Sequence, residues 1–269
     1  MFEQFILGII QGVGEWLPVS SKAFIILAKI NIFGSKESLH VLIREALLLH
    51  IGTFFSALVY FWADIEKVAR KIIANPKILT EKKGSLPGFL IITTTLSGGL
   101  GFVLLSIADN LTAASVESTG KAITFLTAML LIGTGFLQLH ARHIGSRFEK
   151  DIEPKDGIVL GLTQAMAALP GFSRSGLTVS ALILRGFNKV EALRLSFLMS
   201  LPIIFLGNIV LNFSSIVHLD ATHLVGIVTS FIVGLLTIKG LLLLAQKINF
   251  GYFVLGFGAL TLLAAFITL

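Results

Sequence analysis

The stretch GIVLGLTQAMAALPGFSRSGLTVSALIL, residues 157–184, decides the fold. Its flanks are apolar enough for a membrane, yet its middle carries Pro170, Gly171 and Ser173-Arg174-Ser175. A spanning helix needs about 20 consecutive apolar residues, and neither flank supplies them. The segment reads as a short helix, a polar turn and a second short helix. Irregular backbone at membrane depth is tolerated only where protein or a water-filled cavity covers it. The tip is therefore expected inside the protein, as a re-entrant hairpin. Residues 4–28, interrupted by Glu15, Pro18 and Ser20-Ser21, read the same way.

The rest of the chain agrees with a membrane setting. Of 269 residues 55% are hydrophobic and only 13% charged, with mean hydropathy +0.91. That leaves too little polar sequence to cover a soluble domain. Stretches free of Asp, Glu, Lys and Arg run over 46–63, 84–108, 122–141, 195–219, 221–238 and 248–269, each long enough to span. The N-terminus lacks the basic region and small-residue cleavage site of a cleaved signal. No cysteine is present, which excludes disulfides, thiolate metal sites and a Cys nucleophile.

Loop charge sets the orientation. Residues 63–85 hold six Lys or Arg, 141–155 four and 185–194 three, whereas 109–120 and 214–223 hold none. Basic loops stay cytoplasmic. The net charge of +6 fits those loops better than nucleic-acid binding. The trace closes if 157–184 enters and leaves from the cytoplasmic side and 4–28 from the outside, with Lys29 and Lys36 then outside against the rule. Opposed hairpins are the pattern of an inverted repeat with its site near the midplane. WLPVSS (16–21) and ALPGFSRS (168–175), each preceded by a glutamine (Gln11, Gln164), support that repeat. The expected fold is all-α and polytopic. About six transmembrane helices and two re-entrant hairpins form a single domain over 1–269, with repeats of roughly 1–110 and 120–269.

Gln11 and Glu15 are spaced i, i+4 and share a helix face. A carboxylate in a membrane faces a cavity or a partner. It is read either as half of a structural ion pair or as a group that binds a cation or moves protons. Arg174 is the obvious partner. It either closes the hairpins on Glu15 or binds phosphate, with its counter-charge arriving on the substrate. Gly171, Ser173, Arg174 and Ser175, opening onto a helix near Gly176 with Thr178 in its first turn, form a candidate phosphate cradle. Ser20 and Ser21 are N-caps of the next helix or else a nucleophile and a phosphate ligand. Lys22 adds positive charge or faces outside water. His50 reads first as a core histidine, with a midplane site as the alternative. His140, His143, His218 and His223 read as solvated, and His40 lies near a membrane edge. Arg44 and Glu45 mark a helix end or contact the site. No spacing resembles a zinc site.

QGVGE (11–15), LPVSS (17–21) and PGFSRSGLT (170–178) resemble the motifs of the undecaprenyl-pyrophosphate phosphatase family, the bacitracin-resistance type of membrane phosphatase. The run 161–208 is similar throughout. The resemblance implies hydrolysis of a polyprenyl diphosphate to the monophosphate lipid carrier, recycled for cell-envelope polymers. It also implies a divalent metal (Mg²⁺ or Ca²⁺) and a plasma-membrane site open to the extracytoplasmic side. Carried over, Glu15, Ser21 and Arg174 would be catalytic. Ser20, Gly171, Ser173, Ser175 and Thr178 would bind substrate, and Gln11 and Glu15 would hold the metal. The expected partner is the lipid diphosphate, not nucleic acid, with a homodimer left open. After LPVSS the chain reads Lys22-Ala23-Phe24 where the family has Thr-Gly-His, so Phe24 stands at the family's histidine. Glu15, His50 or a metal-bound hydroxide must then replace that base. A transporter or flippase for a polyprenyl phosphate is the alternative, since broken helices in inverted repeats are transporter architecture.

Overall fold

The computed structural model describes residues 1–81, 84–113, 119–141, 145–169 and 171–267. Pro170, His143 and residues 114–118 fall outside them. The described helices are, in order, α1 (Phe2–Gly14), α2 (Ser21–Asn31), α3 (Leu39–Tyr60), α4 (Trp62–Ala74), α5 (Leu86–Ala113), α6 (Thr119–His140), α7 (Pro154–Met166), α8 (Arg174–Leu184), α9 (Lys189–Val217), α10 (Ala221–Lys247) and α11 (Gly251–Ile267). Among the described residues no β-strand forms, so the chain is an all-α, polytopic membrane protein.

Helices α3, α5, α6, α9 and α10 are long and apolar enough to cross a membrane. They cover five of the six expected stretches. The sixth, 248–269, holds α11, at 17 residues shorter than a full span.

Both broken segments fold as pairs of short helices. In the first, α1 ends at Glu15 and α2 is capped by Ser20, whose φ of +65° lies in the left-handed region. The Ser20 hydroxyl oxygen accepts from the Ala23 N–H at 3.4 Å. In the second, Ser173 caps α8 by accepting the Gly176 N–H at 3.0 Å. Gly171 makes the turn at φ +102°; a Cβ there would fall 2.7 Å from the Thr127 carbonyl oxygen of α6.

The pairs are held by the long helices in a matched way: α1 packs on α10, α7 on α5, α3 on α9, and α6 on α11. Exchanging α1 with α7, and α5 with α10, turns the first contact into the second. The closest approach is α3 on α10, where a Cβ on Gly52 would lie 1.9 Å from Ser230 Oγ. Hydroxyls finish that crossing: Ser56 donates to Phe231 O at 2.8 Å and Ser230 to Leu49 O at 2.9 Å. Trp16 is buried, donates to Gly234 O at 3.0 Å and lies 5.6 Å from the Phe197 ring.

Charges gather at the base of each pair. Lys29 is buried among Glu3, Glu37 and Glu45, with Glu37 at 2.9 Å. Lys29 is thus neutralised rather than a free loop cation, whereas Lys36 is exposed. The same contact takes up Glu45, and Arg44 donates from Nε to Leu211 O at 2.6 Å, so neither reaches the hairpin tips. At the other base, fully buried Asp156 accepts from Arg147 and Arg185, each at 2.6 Å.

Candidate active site

The two tips meet. Ser175 Oγ donates to Leu17 O at 3.0 Å, and Gln138 of α6 donates to Pro18 O at 2.6 Å. Lys22 Nζ crosses to the end of α7, donating to Ala167 O and Ala168 O at 2.9 Å each. Arg174 Nη2 crosses the other way, to Glu15 Oε1, while its Nη1 donates to Ser196 O at 3.2 Å. The guanidinium also lies 5.3 Å from the centre of the Phe197 ring.

Glu15 is the centre of this junction. Its second oxygen accepts from Ser21 Oγ and from Gln11 Nε2, each at 3.0 Å. His50 Nε2 lies 3.3 Å from that same oxygen, and His50 Nδ1 lies 2.6 Å from Ala46 O. Both ring nitrogens therefore face oxygen acceptors. A carboxylate so buried is held by four donor groups and by ion pairing, the condition under which a buried charge is tolerated.

The junction opens on a cavity of about 380 Å³. Its polar end is formed by Glu15, Ser21, Lys22, His50, Ser173 and Arg174. Its far wall is apolar, from Gly98, Phe102 and Leu105 of α5 and Ile203, Gly207 and Val210 of α9. The first turns of α2 and α8 both line the polar end, and the unpaired N–H groups and dipole of a helix start favour an anion. The arrangement offers an anion site at one end and room for a hydrocarbon at the other.

The structure brings together Glu15, Ser20, Ser21, Ser173, Arg174 and Ser175 at the cavity. Two expected substrate ligands stand elsewhere. Thr178 is fully buried, donating to Arg174 O at 2.8 Å and lying 2.7 Å from Ser196 Oγ, so it braces Arg174 against α9. Gly171 packs on α6. Arg174 does not wait for its counter-charge, because Glu15 already supplies one. His50, read first as a core residue, lines the cavity; the polar tip one helix away was the signal. Phe24 turns away from the cavity and packs on Phe257, ring centres 4.4 Å apart.

The expected divalent metal was assigned to Gln11 and Glu15. The structure turns the Gln11 amide nitrogen, not its oxygen, toward Glu15, with Thr53 Oγ1 also at 3.0 Å from it. Glu15 is the only carboxylate lining the cavity among the described residues, and its oxygens are taken by Arg174, Ser21, Gln11 and His50. Two permanent or readily charged cations, Arg174 and Lys22, share that space. Among the described residues no three His, Asp or Glu side chains gather as a metal cluster. Even Mg²⁺, which keeps waters and takes substrate phosphates, relies on one or two free carboxylates, and the one carboxylate here is engaged on both oxygens. This donor set does not fit a resident divalent cation.

Comparison with known proteins places the chain. The undecaprenyl-diphosphatase of Methanococcoides burtonii is 38% identical over 268 residues, covering 98% of both chains. That of Caldicellulosiruptor bescii is 35% identical over 257 residues, covering 94% of this chain and 91% of its own. The undecaprenyl-diphosphatase of Haloarcula marismortui is 34% identical over 260 residues, 95% of this chain and 93% of its own. The family model described as bacitracin resistance protein BacA matches residues 4–262. The chain belongs to the BacA family.

Proposed function

We propose that the protein is a membrane phosphatase that hydrolyses undecaprenyl, or a similar polyprenyl, diphosphate to the lipid monophosphate and inorganic phosphate. The observation that carries this reading is Glu15, which accepts from the Ser21 hydroxyl on one oxygen and from Arg174 on the other, at the mouth of a cavity with an apolar wall. The names of the relatives support the diphosphate substrate and favour hydrolysis over transport.

Arg174 and the N–H groups of α8's first turn that Ser173 leaves uncapped hold the diphosphate, with Ser173 and Ser175 lining the site. The prenyl tail runs between α5 and α9 toward the bilayer. Glu15 takes the Ser21 hydroxyl proton as Ser21 Oγ attacks the distal phosphorus. The bond from that phosphorus to the bridging oxygen breaks, and the lipid monophosphate leaves. Water then attacks the phosphoserine, giving a proton toward Glu15 while Ser21 Oγ regains one, and inorganic phosphate departs. His50, beside Glu15 Oε2, carries the shared proton between the two halves. It does the work left vacant at Phe24. No step requires a metal.

The two short-helix pairs are read as re-entrant hairpins from opposite faces of the plasma membrane, related as an inverted repeat. The matched packing of α1 on α10 and α7 on α5 supports this. Loop charge supports a site open to the extracytoplasmic side. The test is phosphate release from a polyprenyl diphosphate by purified protein beside Glu15→Ala and Arg174→Ala. Release lost in both variants is expected. Unchanged release in either would refute the assignment.

A further inference from the structure

Lys22 is the cation that the proposed chemistry leaves without a task. It stands at the second helical position of α2, where the resembled motif has threonine. Its Nζ donates to two carbonyls at the end of α7, and it lines the polar end of the cavity. Among the described residues it has no carboxylate within ion-pair distance. Arg174, one position earlier in the first turn of the second hairpin's helix, also reaches across to the other tip. Arg174 finds a carboxylate there, Glu15. Lys22 donates only to carbonyls, which satisfy two of its three N–H groups, and the negative end of the α7 dipole offsets part of its charge. A half-buried cation at membrane depth without an anion is costly unless the anion is the ligand.

We infer that Lys22 is the second cation of the diphosphate site and supplies charge that a divalent metal would otherwise bring. The inference rests on the diphosphate reading above and on the misfit of Gln11 and Glu15 as metal ligands. The third N–H of Lys22 reaches one phosphate while Arg174 holds the other. A diphosphate is then bound by two cations on opposite tips, and a monophosphate engages one. Lys22 therefore selects diphosphate over monophosphate and makes binding independent of metal.

The test measures binding by calorimetry, in detergent, of a non-hydrolysable farnesyl methylene-bisphosphonate and of farnesyl phosphate. Each ligand is titrated with EDTA and with Mg²⁺. A hydrogen bond to a charged group is worth enough to set the scale at about tenfold to a hundredfold. In EDTA, Lys22→Met is expected to weaken the bisphosphonate by that factor and the monophosphate by much less. Lys22→Arg is expected to restore both the affinity and the preference. Mg²⁺ is expected to recover part of the Lys22→Met loss and little in the wild type. Wild-type binding that vanishes in EDTA would overturn the inference, since a metal carried by the substrate would then be doing this work. So would a Lys22→Met protein with unchanged preference while Arg174→Ala loses binding. If Arg174→Ala also binds normally, the diphosphate reading itself fails. Should Lys22→Met not fold, Lys22→Gln against Lys22→Arg decides the same point.

Discussion

The two hairpins are built alike and equipped differently. Each ends its first helix at a polar tip and starts its second with a serine cap, Ser20 in one and Ser173 in the other. At the first helical position one places Ser21 and the other Arg174. At the end of the first helix one places Glu15 and the other Ala167. In the proposed mechanism the first hairpin thus brings the base and the nucleophile, and the second brings the anion ligand. Each sends a cation to the other tip, Lys22 outward and Arg174 back. Two helix pairs of like build can hold an asymmetric reaction centre because each backbone supplies an anion-attracting helix start while the side chains at the tips differ.

Breaking that division of labour at its chemical residues should have the largest effect. Glu15→Gln keeps the shape but cannot take the Ser21 proton, and general-base catalysis contributes about 10²–10⁴-fold. Phosphate release should fall by at least that range, and Ser21→Ala should match it because the two act as one unit. Arg174→Ala should cost a similar factor from lost electrostatic stabilisation, on the order of 10²–10³. It should also lower thermal stability, because it leaves Glu15 buried without its ion pair. A Glu15→Gln protein retaining ordinary rates would show that the first hairpin does not carry the base.

The bases of the hairpins invert each other's charge. One buried lysine is surrounded by three carboxylates, and one buried aspartate by two arginines. Asp156 is wholly buried, so Asp156→Asn leaves two arginines facing a neutral group and should cost about 3 kcal/mol. Lys29→Met removes the cation instead, but its partners Glu3 and Glu37 are 38% and 42% exposed and regain water. That loss should be smaller, about 1 kcal/mol. Thermal unfolding in detergent ranks the two. Equal losses would mean that burial of the central charge does not set the cost.

The apolar wall sharpens the comparison from the substrate side. A Cβ on Gly207 meets nothing within 4 Å, so the fold tolerates a side chain there, yet the residue lines the cavity. Gly207→Leu should raise KM for a long prenyl diphosphate several-fold and leave a short farnesyl substrate nearly unchanged. Equal effects on both would place the tail elsewhere.

Much of this was legible in the sequence because broken apolar segments and loop charge are strong signals. Pro170 and Pro18 marked the turns, and Glu15 and Arg174 announced themselves as ionisable groups in apolar surroundings. What the sequence withheld was direction. Thr178 sits one helical turn from Arg174, and that spacing is compatible with a substrate contact or with the brace it makes to Ser196. His50 sits in a run apolar on all sides, so periodicity did not show which face met Glu15. Lys22 follows the serine pair directly, where the start of a helix turns successive residues through about 100°. Whether it pointed to water or across the junction depended on the second hairpin, 145 residues away. The spacing leaves open whether Arg174 pairs with Glu15 or binds phosphate; the structure shows the ion pair, with Arg174 also lining the cavity.

An effect as small as that of Lys29→Met is expected among the loop charges, where α4 and α9 are tied together. Glu149 accepts from Lys71 of α4 at 2.7 Å and from Arg194 of α9 at 3.1 Å. Burial pushes its carboxyl up, but the hydrogen bonds from Lys71 and Arg194 outweigh this and hold it below its ordinary 4.5. The unfolded chain therefore takes up this proton before the folded one does. The contribution to stability is complete above about pH 4.5 and is lost as pH falls through the lowered folded value. Partly screened, it should amount to about 1 kcal/mol. Glu149→Gln should remove that much stability at neutral pH and flatten the acid limb of the unfolding profile. If the wild-type and Glu149→Gln profiles run parallel below pH 5, this junction holds α4 to α9 by shape and not by charge.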